Sequence, residues 1–134
     1  MMRRLILGAA LAAGCHPAPP APPQFLALNR AGELVEIEAA LVPGKVNVVD
    51  FRADWCGGCA VIEADLHRQL TGNPRVVVRT VDVGDGDTPV ARAYGIHGLP
   101  HVLIVDRTGA LRYRLVGDDA LGAATIARQV ADER

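Results

Sequence analysis

The sequence predicts an α/β domain, a single unit in which a central mixed β-sheet is flanked by helices. Three observations carry this expectation. Two β-branched runs, "VNVVDF" (46–51) and "RVVVRTVDV" (75–83), bracket a stretch of helical period. That order makes a βαβ unit, with parallel strands and a right-handed crossover. A later pair of runs, "HVLIVD" (101–106) and "ALRYRLVG" (110–117), flanks the turn "RTG" and adds an antiparallel hairpin. The 134 residues are 50% hydrophobic with a formal net charge of -1, enough for one modest core and unlike a disordered chain.

The chain opens on "MMRRLILGAALAAGC". Arg3 and Arg4 make a positive start, Leu5–Ala13 is a short apolar run, and small residues follow, so residues 1–14 are expected to be a signal peptide. The apolar run is too short to span a bilayer as a helix. The ending "LAAGC" resembles a bacterial lipobox, which would make Cys15 the first mature residue and the lipid carrier. It departs from that pattern at Ala12, where Leu is usual; Leu11 stands one step earlier. The resemblance implies several acyl chains, enough for stable anchoring where one would be marginal. A buried N-terminal helix and an ordinary Cys15 are the alternatives. With the lipid-anchor Cys15, the Pro-rich "HPAPPAPPQ" (16–24) forms the linker of residues 15–24. Proline fixes φ and cannot donate, so the segment reads as a semi-rigid spacer of roughly 25–30 Å at ~3.1 Å per residue.

Residues 25–134 are expected to be the folded domain. "FLALNRAGELVEI" reads as two short strands around the turn "NRAG". "VNVVDF" lacks alternation, which suits a strand buried on both faces. From Cys56 to Leu70, the apolar Cys59, Ile62, Leu66 and Leu70 recur at helical spacing, and "GNP" (72–74) stops that helix. After the strand 75–83 and the loop "GDGD", Thr88 is expected to cap a short helix with Pro89 in its first position and Gly95 at its end. Beyond the hairpin, Asp118 or Asp119 is expected to cap a terminal helix that turns Leu121, Ala124, Ile126 and Val130 to the core. No basic stripe suggests a nucleic acid.

Three cysteines are too few for a disulfide-scaffold miniprotein. Two of them, Cys56 and Cys59, sit where the first long strand turns into a helix. A helix start has unpaired N–H groups and partial positive charge, both of which favour a thiolate. Cys56 is therefore expected to be exposed, acidic and nucleophilic. Cys59 lies one turn on and deeper, at a spacing that allows a small disulfide ring, and Gly57-Gly58 removes bulk between the sulfurs. Cys56 can attack a partner disulfide and Cys59 can resolve the mixed species. A purely structural bond is a poor alternative, since so short a ring restricts little unfolded-state entropy. A copper- or zinc-handling module is another alternative, with the cysteine pair joined by His67, His97 or His101. A redox-inert binding module is a third. A lone acid inside "VVDF", Asp50, is costly to bury unless it acts; otherwise it reaches water at the sheet edge.

"VVDFRADWCGGC" resembles the active-site segment of the thioredoxin superfamily, and "YGIHGLPHVLIVDRTG" resembles its second signature. "ADWCxxC" with an acid at Glu63 is most similar to the C-terminal domain of the thiol:disulfide interchange protein (DsbD) family. The signal, terminal cysteine and stalk resemble exported thioredoxin-like lipoproteins. The resemblance implies a thioredoxin-like fold and a thiol–disulfide oxidoreductase with no cofactor beyond its cysteines. It makes Cys56 the attacking and Cys59 the resolving thiol, paired as a disulfide when oxidised. It makes Trp55 the ring that covers them, unless Trp55 is plain core packing, and Asp50 the buried acid that exchanges a proton with Cys59. Pro100 would be cis beside the sulfurs, and the backbone of Leu99 would take an extended substrate segment by strand addition. Partners would be thiols and disulfides of exported proteins and a membrane thiol reductase, on the periplasmic side of a bacterial membrane held through the N-terminal lipid. Three departures stand out: Gly-Gly replaces Gly-Pro between the cysteines, Ala64 replaces a helix-kinking Pro, and Val78 replaces a Lys near the buried acid. The last implies that Asp50 has no cation nearby. His97 and His101 flank the Leu-Pro segment; His101 could tune the thiolate or meet the partner, and otherwise is a half-exposed polar residue.

Overall fold

A computed structural model describes residues 14–134; the expected signal peptide, apart from Gly14, lies outside the described residues. The elements are β1 (Phe25–Ala27), α1 (Ile37–Ala40), β2 (Val46–Arg52), α2 (Gly57–Leu70), β3 (Val76–Asp82), α3 (Pro89–Tyr94), β4 (His101–Val105), β5 (Leu111–Val116), a 3-10 turn (Gly117–Gly122) and α4 (Ala123–Asp132). They build one five-stranded sheet in the order β1-β3-β2-β4-β5. β3 lies parallel to both β1 and β2, while β2/β4 and β4/β5 are antiparallel. The mixed sheet and the parallel β2–α2–β3 unit are as the sequence predicts. No described helix is long and apolar enough to cross a membrane.

Strand alternation divides the core in two. Val46 and Val48 of β2, with Val76 and Val78 of β3, meet Ile62, Leu66 and Leu70 of α2 and Ala124, Ala127 and Val130 of α4. Val49 and Phe51 face the other way, against Ile37 of α1 and Val90 and Ala91 of α3. Helices on both faces explain why β2 and β3 read as unbroken apolar runs rather than alternating ones. Each fully buried valine contributes about 1.5–3 kcal/mol by leaving water.

Several local expectations are corrected. Among the described residues, no second strand precedes α1. Ile37 N–H donates to the Tyr94 hydroxyl (2.9 Å), which donates to Val35 O (2.9 Å), so a side chain of α3 takes the groups a strand would have paired. Thr88 stands at the N-cap position of α3, as expected, but makes no side-chain cap hydrogen bond; its hydroxyl donates to Val83 O at 2.8 Å instead. Pro89 does open that helix, and Gly95 ends it at φ 64°, in the left-handed region that favours glycine. Neither Asp118 nor Asp119 caps the last helix; a 3-10 turn intervenes and leaves Leu121 51% exposed.

Contacts reach back to Pro23 and Gln24. The Gln24 amide donates to Leu70 O, Asn73 O and Val76 O, and its carbonyl accepts from Gly72 N–H. Arg79, fully buried, donates to Ala40 O (2.9 Å), Pro23 O (3.1 Å) and Val78 O (3.0 Å). The Pro-rich segment thus enters at the C-terminal end of α2, while the cysteine pair occupies the opposite end.

Candidate functional site

Cys56 is the N-cap of α2, with extended backbone, and Cys59 begins the helix's buried stripe. The two form a disulfide with Cα atoms 5.3 Å apart. The Cys59 backbone N–H donates to Cys56 Sγ at 3.1 Å. One of the orphan donors of the helix start therefore points at the Cys56 sulfur, where it would steady a thiolate after reduction. Cys59 is wholly buried, as expected; Cys56 is only 8% exposed, more covered than the sequence suggests. Cys15 is free and exposed.

Pro100 belongs to this site. The Leu99–Pro100 bond is cis. A Cβ added to Gly58 would stand 3.3 Å from Pro100 Cγ, so the proline packs against Gly58, between the cysteines. Leu99 is half-buried against the Phe51 side of the core. Trp55 is not core: it is 61% exposed, and its indole N–H donates to Gly84 O at 2.7 Å. That bond fixes one edge of an exposed ring beside the cysteines.

Asp50 shares the face of β2 that α2 covers and pairs in register with Val102 of β4. It does not reach water at a sheet edge: the residue is 1% exposed, and neither carboxylate oxygen has a hydrogen-bond partner. Burial, reinforced by the charge of Glu63 and opposed by that of Arg52, pushes its pKa up to about 7. The expectation that Asp50 lacks a cation is therefore corrected. Val78 does leave the β3 position apolar, but Arg52, two residues along the same face of β2, supplies the charge. Strand alternation could have revealed Arg52 in "DFRADW", since positions 50 and 52 must share a face.

Glu63 follows Cys59 by four residues, one turn further along α2. Its Oε2 lies 3.9 Å from Arg52 Nε. A cavity of about 400 Å³ opens between β1, β3 and α2, and Asp50, Arg52, Glu63, His67 and Asp82 are among its lining residues.

The histidines divide. His97 is exposed, and His67 stacks on Phe25 with ring centroids 4.0 Å apart. His101 is buried rather than half-exposed, edge-on to Phe51. Its Nε2 lies 2.7 Å from Arg114 Nη1. Arginine only donates, so Nε2 accepts and the proton sits on Nδ1. Burial, then the Arg114 charge, lowers the His101 pKa and keeps the ring neutral. Among the described residues, no group of three or more His, Cys, Asp or Glu is arranged to hold a metal ion.

The thioredoxin family model matches residues 36–129. The chain is 28% identical over 95 residues to the "thiol:disulfide interchange protein TxlA homolog" of Synechocystis sp., covering 69% of this chain and 52% of that protein. It is 32% identical over 83 residues to the chloroplastic "thioredoxin-like protein HCF164" of Arabidopsis thaliana, covering 60% of this chain and 31% of that one. The chain thus spans about half or less of the length of these relatives. Among solved structures, the Schistosoma mansoni thioredoxin pre-protein superposes with a TM-score of 0.60 at 27% identity, over 81% of this chain and 99% of that one. A thioredoxin from Halobacterium salinarum gives 0.62 at 24% identity over 83% and 94%, a likeness of fold.

Proposed function

Because this chain belongs to the thioredoxin family, with the family's CxxC pair present as a disulfide, we propose that it is a thiol–disulfide oxidoreductase acting on disulfides of exported proteins. The observation that carries this is the Cys56–Cys59 disulfide at the N-terminus of α2, with a helix N–H on Cys56 Sγ and Pro100 against the intervening Gly58.

In the reducing direction, the Cys56 thiolate attacks one sulfur of a partner disulfide. A mixed disulfide forms and one partner thiolate leaves. Cys59 then gives its proton to Asp50 and attacks Cys56 Sγ, which re-forms the Cys56–Cys59 bond and releases the second partner thiolate. Two electrons pass from the cysteine pair to the partner. A carboxyl with a pKa about 7 suits this work, because near neutral pH it can hold or release a proton. Trp55 and Pro100 frame the exposed approach, and the backbone of Leu99 receives the partner's extended segment. Both steps run backward, in reverse order, when the pair instead oxidises a dithiol: one partner thiolate attacks Cys56 Sγ and releases Cys59, then the partner's second thiolate attacks the mixed disulfide and releases Cys56.

The N-terminal residues support attachment of this domain to the periplasmic side of a bacterial membrane through lipid on Cys15, with a membrane thiol reductase as electron source. The site then faces away from the tether, since the Pro-rich segment enters at the far end of α2.

Insulin reduction by the dithiol form tests the activity, with Cys56→Ser and Cys59→Ser as controls; no reduction above those controls overturns it. Fractionating cells that carry Cys15→Ser tests the anchor. Unchanged membrane attachment, with no lipid on the parent N-terminus, overturns that part alone.

A further inference from the structure

Among the described residues, the buried side-chain nitrogens and oxygens lacking a hydrogen-bond partner are Asp50 Oδ1, Asp50 Oδ2 and Arg52 Nε. All three belong to one face of β2 and to residues that line one cavity. Unpaired buried polar groups are rare in folded proteins, and two neighbouring residues that share them point to a working arrangement rather than a packing accident.

Arg52 is also where three segments around the cysteine pair converge. Its Nη2 contacts Asp54 Oδ1 at 2.8 Å, in the loop that leads to Cys56. Its Nη1 contacts Asp82 Oδ2 at 3.0 Å, at the end of β3, and its Nε faces Glu63 of α2 at 3.9 Å. Asp82 Oδ1 accepts from Gly84 N–H at 2.8 Å, and Gly84 O accepts the Trp55 indole N–H at 2.7 Å. A continuous path of polar contacts therefore runs from Trp55 through Gly84, Asp82 and Arg52 to Asp54, tying down both ends of the Asp54–Trp55 pair that immediately precedes Cys56.

We propose that Arg52 is a positioning residue of the redox site: its guanidinium holds Glu63 and the cysteine loop around the buried Asp50, and its charge governs when the Asp50 carboxyl gives up its proton. The inference rests on the reading of Asp50 as the proton partner of Cys59. The charged and titratable groups facing Asp50 across the cavity are Glu63 and His67 of α2, Asp82 of β3 and Arg52 itself. Glu63 favours the neutral carboxyl; Arg52, the arginine among the lining residues, favours the carboxylate. Each opposes the other while the two lie within ion-pairing distance, so a change in either is felt at Asp50.

The test follows the Asp50 carboxyl by its carbonyl infrared band across pH in the oxidised protein, and the pH dependence of insulin reduction in the dithiol form. In Arg52→Met both midpoints move up by about one pH unit, from loss of a cation at strand i,i+2 separation. Arg52→Lys, which keeps the charge, stays near the parent, and Glu63→Gln moves down. An unmoved or lowered midpoint in folded Arg52→Met overturns the proposal. If Arg52→Met does not fold, Glu63→Gln decides: an unmoved or raised midpoint overturns it equally. Absence of insulin reduction by the parent protein defeats the proposed activity, whereas the infrared titration still tests Arg52.

Discussion

Replacing Asp50 with Asn should make the oxidised protein more stable at alkaline pH and less active. The folded-state pKa of Asp50 is about 7 against an ordinary value of 3.8. A raised folded pKa means that the native state holds the proton longer than the unfolded chain. Below about pH 4 both states are protonated and burial of the acid carries no charge penalty. Between about pH 4 and about pH 7 only the unfolded chain ionises, so native stability falls by about 1.4 kcal/mol per pH unit. Above that window the penalty levels off near ~4 kcal/mol, roughly three pKa units at that slope. Asn cannot ionise and does not share the loss. Urea denaturation of the parent and Asp50→Asn, both with the disulfide intact, isolates the effect, since the two proteins differ only in this carboxyl. The stability difference should shift toward the variant by about 4 kcal/mol between pH ~4 and pH ~8.5, while insulin reduction slows most where Asp50 would be ionised. A difference that stays flat with pH would refute the claim that Asp50 is a buried, unpaired carboxyl.

Other outcomes follow from the same geometry. Cys59→Ala should accumulate a reducible adduct with partner proteins on non-reducing gels, and Cys56→Ala should not, because no neighbouring thiol remains to release the first and the second lacks the helix-end sulfur; equal adducts from both would reverse the assigned order. Phe51→Ala, which empties a fully buried site between α3 and His101, should cost about 3–5 kcal/mol in urea melts. Arg79→Met, which strips hydrogen bonds from Pro23 O and Ala40 O, should cost about 2–3 kcal/mol and make the chain near Pro23 and Gln24 the first site of limited proteolysis; unchanged protection there would show that Arg79 does not hold that segment.

Much of the site was legible because its chemistry is local. The cysteine spacing and the helix start beneath it follow from neighbours in the chain, and the Leu-Pro segment from the family resemblance; each lies where the motifs put it. Part of what escaped was set by distance along the chain. The expected strand after "NRAG" was lost to Tyr94, 57 residues on from Ile37, whose hydroxyl takes the backbone groups that a strand needs. Other misses were local: Thr88 sits at the N-cap of α3 but its hydroxyl is bonded to Val83 O rather than to a helix N–H, and the two aspartates at 118 and 119 sit in a 3-10 turn.

The sequence alone determined which residues are chemically able to act: two thiols one helical turn apart, an acid in an apolar strand, a proline two elements away. It did so because reactivity and helix or strand period are properties of near neighbours. Only the tertiary structure decided the electrostatics of that acid. Val78 says that a cation is missing from β3, yet the charge arrives from β2 itself, and Glu63 from α2 opposes it. Such a balance depends on distances across the fold and on how completely water is excluded, and neither is written in the spacing of residues along the chain.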